Sequence, residues 1–165
     1  MLISSGMQPA IAGGFLGLAT AIGIPSGFAL APFISKFKSL SWLAAIASSI
    51  TTSGFAVLTF VLAVGATSNS VALVIACVLI SVGQTATFPV SLSLIATRAS
   101  TQAQTTVLSA FSQGWGYLIS GFGTFAFGAM AAAFSNWTVV AATIAAISAL
   151  QIAIGFYAGR NSKIS

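Results

Sequence analysis

The side chains of this sequence that can take part in chemistry are amides, hydroxyls and one thiol. Its 165 residues include five Lys or Arg but no Asp, Glu or His. General acid–base pairs, Ser-His-Asp triads, carboxylate cages for metals and His-based zinc sites therefore cannot be built. Cys77 has no second thiol to pair with and no imidazole to activate it. We expect a protein that is not an enzyme and that needs no cofactor or metal.

Two amides, Gln84 and Gln113, stand out because each can both donate and accept hydrogen bonds to a small solute. At 100° per residue, each amide lies on a polar helix face. The two faces comprise Ser81, Gln84, Thr87 and Ser91, and Thr106, Ser109, Gln113, Tyr117, Ser120 and Thr124. Two such stripes predict a shared polar seam between neighbouring helices. The seam either lines a water-filled path or holds the helices together by hydrogen bonds, and both interpretations stay open.

The elements that must position these amides are membrane-spanning helices. Hydrophobic residues make up 58% of the chain and charged residues 3%, far below the roughly 25% charged residues of a soluble domain. Apolar blocks long enough to cross a bilayer need about 20 residues. Five blocks meet this length: Ala10 to Ile34, Trp42 to Val64, Val71 to Ile95, Val107 to Phe134 and Trp137 to Ala158. We therefore predict a single transmembrane domain, an all-α bundle of five spans with short connections.

The cations predict the orientation of the bundle, because Lys and Arg near span ends stay on the cytoplasmic side. All five lie at one side of the predicted bundle, namely Lys36, Lys38, Arg98, Arg160 and Lys163. The N-terminus is then outside and the C-terminus cytoplasmic, in the cell (inner) membrane. The cations are too scattered for nucleic-acid binding. They act as topology signals, or the first three attract anions to the cytoplasmic mouth.

The first span carries small residues at four-residue spacing, Gly13 with Gly17 and Gly23 with Gly27. Such spacing lets helix backbones approach closely in lipid. Pro25 removes one backbone hydrogen bond and predicts a kink near the middle of the bilayer. The glycines and the proline serve either packing alone or a moving gate.

The stretch from Gly83 to Gly123 resembles the cyanate permease family of the major facilitator superfamily. In that family the tenth helix ends in Phe-Pro followed by an apolar stretch and Arg, and the eleventh carries Leu-Ser, Gln and Gly-Tyr. The matching residues here are Phe88, Pro89, Arg98, Leu108, Ser109, Gln113, Gly116 and Tyr117. The first span is similar to the family's eighth helix through Ala12-Gly13, Gly23-Ile24-Pro25 and Pro32.

The resemblance implies that the five spans correspond to helices eight to twelve of a twelve-helix carrier. It also implies that the polar faces border a central cavity, so Gln84, Thr87, Gln113 and Tyr117 are the candidate solute-binding residues. Pro89 joins the first-span glycines and Pro25 as a candidate packing or gating residue. The chain departs from the family in two places, since the first loop carries no acid and Thr124 follows Gly123 where relatives tend to have Gly-Pro.

These features together predict the C-terminal part of a secondary transporter for a small anionic or polar solute. Alternating access needs two halves, so we expect the chain to be inactive alone and to work in the bilayer with a separately encoded N-terminal half, or to be a truncated remnant. The alternative is a structural or assembly subunit that binds another membrane protein through the glycines of the first span. No nucleic-acid partner is expected.

Overall fold

The computed structural model describes residues 2–3, 6–34, 36–37 and 39–159. Within them the chain is all-helical, with five helices long and apolar enough to cross a membrane. The helices are α1 (Pro9–Ile34), α2 (Leu40–Ala63), α3 (Ser70–Arg98), α4 (Gln102–Phe134) and α5 (Trp137–Ala158). The prediction of a five-span helix bundle is therefore confirmed. Lys38, Arg160 and Lys163, used above for the orientation, lie outside the described residues.

Polar side chains cap the starts of α3, α4 and α5. The largest difference from the predicted spans is in α4, which begins at Gln102 rather than at Val107. Its N-cap Thr101 accepts a hydrogen bond from the Gln104 backbone nitrogen at 3.2 Å, and the Gln104 side chain accepts one from the Ser100 nitrogen at 2.8 Å. These two hydrogen bonds start a helix on polar residues, which a scan for apolar blocks misses.

Two asparagines cap the helices that follow short turns. The Asn69 side chain accepts a hydrogen bond from the Ala72 nitrogen at 3.1 Å, and Asn136 accepts one from the Thr138 nitrogen at 2.9 Å. Such caps satisfy backbone donors that have no partner inside the helix. The turn before Asn136 contains Ser135 in the left-handed conformation, at φ 48°.

The helices pack in the order α1, α3, α2, α5, which differs from their order in the chain. Helix α3 lies between α1 and α2, and α2 lies between α3 and α5. At the α2–α5 contact the rings of Trp42 and Phe156 meet edge to face, with centroids 5.1 Å apart. Short connections suggest that chain neighbours pack together, but α1 packs mainly on α3 rather than on α2.

Apolar residues pack at both ends of the group formed by α1, α2 and α3. One cluster contains the buried residues Phe15, Val61 and Leu73. The other, at the opposite end, contains Ile34, Leu43, Ala44 and Val90. Between them, α2 and α3 approach most closely where glycines remove the side chain.

The two glycines at this crossing are Gly83 on α3 and Gly54 on α2. A Cβ atom added to Gly83 would lie 2.6 Å from the Thr51 backbone nitrogen and 2.9 Å from the Ala47 carbonyl oxygen. A Cβ added to Gly54 would lie 2.7 Å from the Ile80 backbone nitrogen. Real Cβ atoms do not come this close to backbone atoms, so the crossing needs glycine at both positions.

Helix α4 differs from the other helices because none of its residues is buried. It makes only limited contact with α3 and α5. Its large apolar side chains are open, with Phe122 76% and Phe125 84% exposed. Most of the surface of α4 is therefore open to lipid or further protein.

Candidate functional site

A cavity of about 480 Å³ lies between α1 and α3. Its lining is almost entirely apolar, and it is lined by Gly23, Ile24, Gly27, Phe28, Gln84, Thr85, Phe88, Pro89 and Leu92. It therefore brings together Gln84, Pro89, Gly23 and Gly27 among the candidate residues.

Two glycines of α1 allow this helix to pack closely on α3 along one wall of the cavity. A Cβ atom at Gly23 would lie 3.1 Å from Thr85 Cγ2, and one at Gly27 would lie 3.3 Å from the Thr85 carbonyl oxygen. Beside them, Ser26 Oγ and Thr85 Oγ1 are hydrogen-bonded across the two helices at 3.0 Å. The two hydroxyls also lie within hydrogen-bonding distance of carbonyls in their own helices, with Ser26 Oγ 2.8 Å from the Gly23 oxygen and Thr85 Oγ1 2.7 Å from the Ser81 oxygen. One hydroxyl therefore donates across the helices while the other donates within its own helix. The hydroxyls that hold α1 to α3 are thus already used.

Gln84 is the polar group of the cavity that is free for a ligand. It is the middle residue of the 29-residue helix α3, so it lies about 20 Å from either helix end at 1.5 Å per residue. Its side chain is exposed and lines the cavity, and the structure gives its carboxamide no hydrogen-bond partner among the described residues. An amide without a partner in an apolar environment costs several kcal/mol. This position therefore calls for a polar partner.

The other candidate solute-binding residues lie elsewhere. Thr87 donates its hydroxyl to the Gln84 carbonyl oxygen at 2.6 Å and does not line the cavity. Gln113 Nε2 donates to Ser109 Oγ at 2.9 Å, and both line a shallow polar groove on α4. Tyr117 is 75% exposed on α4.

The expected polar seam between the third and fourth spans is not formed among the described residues, because α4 stands apart. Buried hydroxyls instead lie on α2 and on the two helices packed against it, α3 and α5, and they belong to Ser41, Ser48, Thr51, Ser81 and Ser148. Thr51 donates to the Ala47 carbonyl at 3.2 Å in its own helix. The prediction overlooked α2, although its small and hydroxyl residues Ala47, Thr51 and Gly54 recur at helical spacing.

The remaining candidates on α1 lie on an open face. Gly13, Gly17 and Pro25 line a shallow groove of that helix, and a Cβ at Gly13 or Gly17 would meet nothing within 4 Å. Helix α1 continues through Pro25 without interruption, from Pro9 to Ile34.

The two described cations have local roles. Arg98 ends α3, and its guanidinium donates a hydrogen bond to the Ala158 carbonyl at the end of α5. Lys36 is exposed, with its amine 5.0 Å from the centre of the Phe33 ring. A cation at a helix C-terminus satisfies free carbonyls and complements the helix dipole. Arg98 therefore places the ends of α3 and α5 at the same end of the bundle.

The fold and composition define a multi-pass membrane protein of α-helical type. In a comparison with known proteins, the chain is 30% identical over 164 residues to a 2-nitroimidazole transporter of Escherichia coli (strain K12). The match covers 99% of this chain and 40% of the length of that transporter. No family model matches the chain, and no solved structure matches it. All five spans are thus similar to part of a transporter.

Proposed function

We propose that the chain forms five membrane spans of a secondary transporter of the major facilitator superfamily that moves a small polar solute across the cell membrane. The observation that carries this proposal is the 30% identity to a 2-nitroimidazole transporter, which extends over every span. The resemblance to the cyanate permease family supports the assignment to the superfamily. The orientation proposed from the cations, with the C-terminus cytoplasmic, agrees with that assignment.

The proposed contact between solute and chain is at Gln84. Its carboxamide is at mid-span, lines the α1–α3 cavity and has a free donor and acceptor. Thr87 bonds to the backbone of Gln84 and so acts on the local turn of α3. Gln113 and Tyr117, on the open face of α4, border the solute path once further helices cover them.

The sequence favours a neutral polar solute over an anion. Lys and Arg are missing from the interior of every span, so the chain supplies no positive charge at mid-membrane to offset the dehydration of an anion. Arg98 and Lys36 lie at helix ends and have partners there.

Further helices complete the carrier in this proposal. Alternating access requires a second half that rocks against the first around the solute site. The unburied helix α4 and the open glycine face of α1 are the surfaces that such helices would cover. These helices belong to a separately encoded N-terminal half or to a longer chain.

The test is complementation between this chain and part of its relative. Cells that lack uptake of 2-nitroimidazole express this chain, the segment of the Escherichia coli transporter outside the matched region, or both together. We expect uptake only with both. Uptake by the chain alone in sealed vesicles would contradict the requirement for a second half, and no uptake from stably expressed pairs would contradict the carrier.

A structural or assembly subunit is the second candidate, favoured by the open face of α1 at Gly13 and Gly17. A cysteine at Gly17, in a variant without Cys77, would crosslink in high yield to one unrelated membrane protein if this candidate holds. A cysteine at Gly27 is the matched control, because that position already packs on Thr85. Crosslinking of Gly17 to transporter helices would instead support the carrier.

A further inference from the structure

We infer that the α1–α3 cavity binds a flat, uncharged ring whose edge carries a hydrogen-bond donor beside an acceptor. Gln84 pairs with that edge, and Phe28 and Phe88 contact the ring. The inference rests on the proposed function, because it names the class of solute for the same carrier and the residues of the cavity that select this solute.

The argument begins with the chemistry of a single carboxamide. An amide side chain presents one acceptor oxygen and a donor NH₂ side by side, so it pairs best with a ligand edge that offers the complementary pair. The carboxamide of Gln84 has no hydrogen-bond partner among the described residues, whereas the protons of the nearby Ser26 and Thr85 hydroxyls are used between the two helices and within one of them. Recognition of a polar edge therefore falls to Gln84 alone.

The rest of the lining selects the shape of the ligand. Phe28 is 77% and Phe88 64% exposed, so both rings have free faces or edges for an aromatic partner. A volume of about 480 Å³ accommodates a single-ring molecule. A small inorganic ion would leave this volume mostly empty and would lose its hydration to apolar walls.

Lipid is a poor occupant for the same cavity. An acyl chain would satisfy the two phenylalanine rings but would leave the carboxamide at mid-span without a hydrogen-bond partner. A flat ring with a paired polar edge satisfies both kinds of group at once.

The experiment measures saturable binding of tritiated benzamide to the purified chain in lipid nanodiscs, with empty nanodiscs as the blank. Benzamide carries a flat ring and a paired amide edge. Two competitors separate these features, acetophenone with a ring but only an acceptor, and cyclohexanecarboxamide with the amide edge but no flat ring. We expect benzamide to bind at least about tenfold more tightly than either, the size of one lost hydrogen bond or stacking contact.

Variants then assign the contacts. Gln84→Leu is expected to weaken benzamide binding about tenfold and to abolish its advantage over acetophenone. Phe88→Leu is expected to weaken it roughly threefold to tenfold and to reduce the advantage over cyclohexanecarboxamide. Gln151→Leu is the matched control, since it removes another exposed carboxamide from a span, on α5, far from the cavity lining.

Absence of saturable benzamide binding to the wild-type chain overturns the inference, as does a Gln84→Leu variant with unchanged affinity. The outcome is separable from that of the proposed function, because binding requires no transport. Binding that depends on Gln84 in a chain that fails complementation rejects the carrier and keeps the site. Complemented uptake that is indifferent to Gln84→Leu keeps the carrier and rejects the site.

Discussion

Helices α3 and α4 carry similar polar stripes in surroundings that differ. Helix α3 is packed by α1 on one side and α2 on another, with Ser81 and Gly83 buried. Helix α4 buries none of its residues. Gln84 consequently faces a formed cavity, whereas Gln113 has its bond to Ser109 one turn away. The same residue type on a similar polar face thus lines a cavity or an open surface according to which helices pack beside it.

The glycines of α3 and α4 also differ in how closely a neighbouring helix packs on them. Gly83 permits backbone contact between α3 and α2, while a Cβ at Gly114, Gly116 or Gly121 of α4 would meet nothing within 4 Å. Small residues allow close packing in lipid but do not themselves bring a partner. The stability lost when a glycine is replaced therefore depends on how closely a neighbouring helix packs against it.

The largest effect that separates α3 from α4 is expected at their glycines. Gly83→Val should destabilise the bundle by about 3 kcal/mol, because the side chain would overlap the backbone of α2. Unfolding by SDS in mixed micelles, followed by circular dichroism, gives the free energy. Gly116→Val on α4 is the control and should cost under about 1 kcal/mol. Equal losses would mean that α4 is packed as tightly as α3.

The second comparison concerns the end of α3. Arg98→Met should cost about 2 kcal/mol in the same unfolding measurement, because it removes a charged donor from the Ala158 carbonyl. Lys36→Met removes an exposed cation that lies over the Phe33 ring and should cost about 0.5 kcal/mol. If both variants lower the free energy of unfolding equally, the hydrogen bond from Arg98 to Ala158 does not stabilise the contact between α3 and α5.

The third comparison lies along α1, whose Gly27 packs on α3 while its Gly17 faces open space. Gly27→Ala should lower stability by about 1 kcal/mol, since its Cβ would press on Thr85. Gly17→Ala should leave stability unchanged or raise it slightly, because its surroundings are open and Ala favours the helix. Thermal aggregation in detergent ranks the two variants, and the reverse order would contradict the packing of α1 on α3.

The smallest effect is expected on α4 itself. A double-mutant cycle with Ser109→Ala and Gln113→Leu should give a coupling of about 0.6 kcal/mol, a typical value for a hydrogen bond in membrane proteins. Unfolding free energies of the two single variants and the double variant supply the cycle. A coupling above about 2 kcal/mol would show that this hydrogen bond is shielded from competing groups, so that α4 is covered in the isolated chain.

The number, type and approximate limits of the helices could be predicted from the sequence, because the length of an apolar block reports on bilayer thickness directly. The error at the start of α4 has a local cause, since Thr101 and Gln104 form a polar cap that hydropathy does not detect. The caps formed by Asn69 and Asn136 at the starts of α3 and α5 are polar and local in the same way.

The partners of each helix could not be predicted in the same way. A polar face at 100° per residue gives the direction of Gln84 but not the helix it meets, because that depends on close approaches between distant segments. Gly83 and Gly54 make α3 and α2 adjacent, and neither glycine belongs to a four-residue pair of the kind noted in α1. Phe28 and Thr85 form the cavity with Gln84, yet as single apolar or hydroxyl residues in a span they carried no distinctive signal.

The contact between Arg98 and Ala158 also has a consequence for biosynthesis. The two residues are 60 positions apart, so a ribosome that makes the chain from its N-terminus releases α3 well before the carbonyl that Arg98 binds exists. Helix α2 likewise enters the bilayer before α5, its second neighbour, has been made. Insertion of α5 therefore completes contacts of helices that are already in the membrane. Nascent chains arrested before α5 should be degraded by membrane quality-control proteases faster than chains that include it.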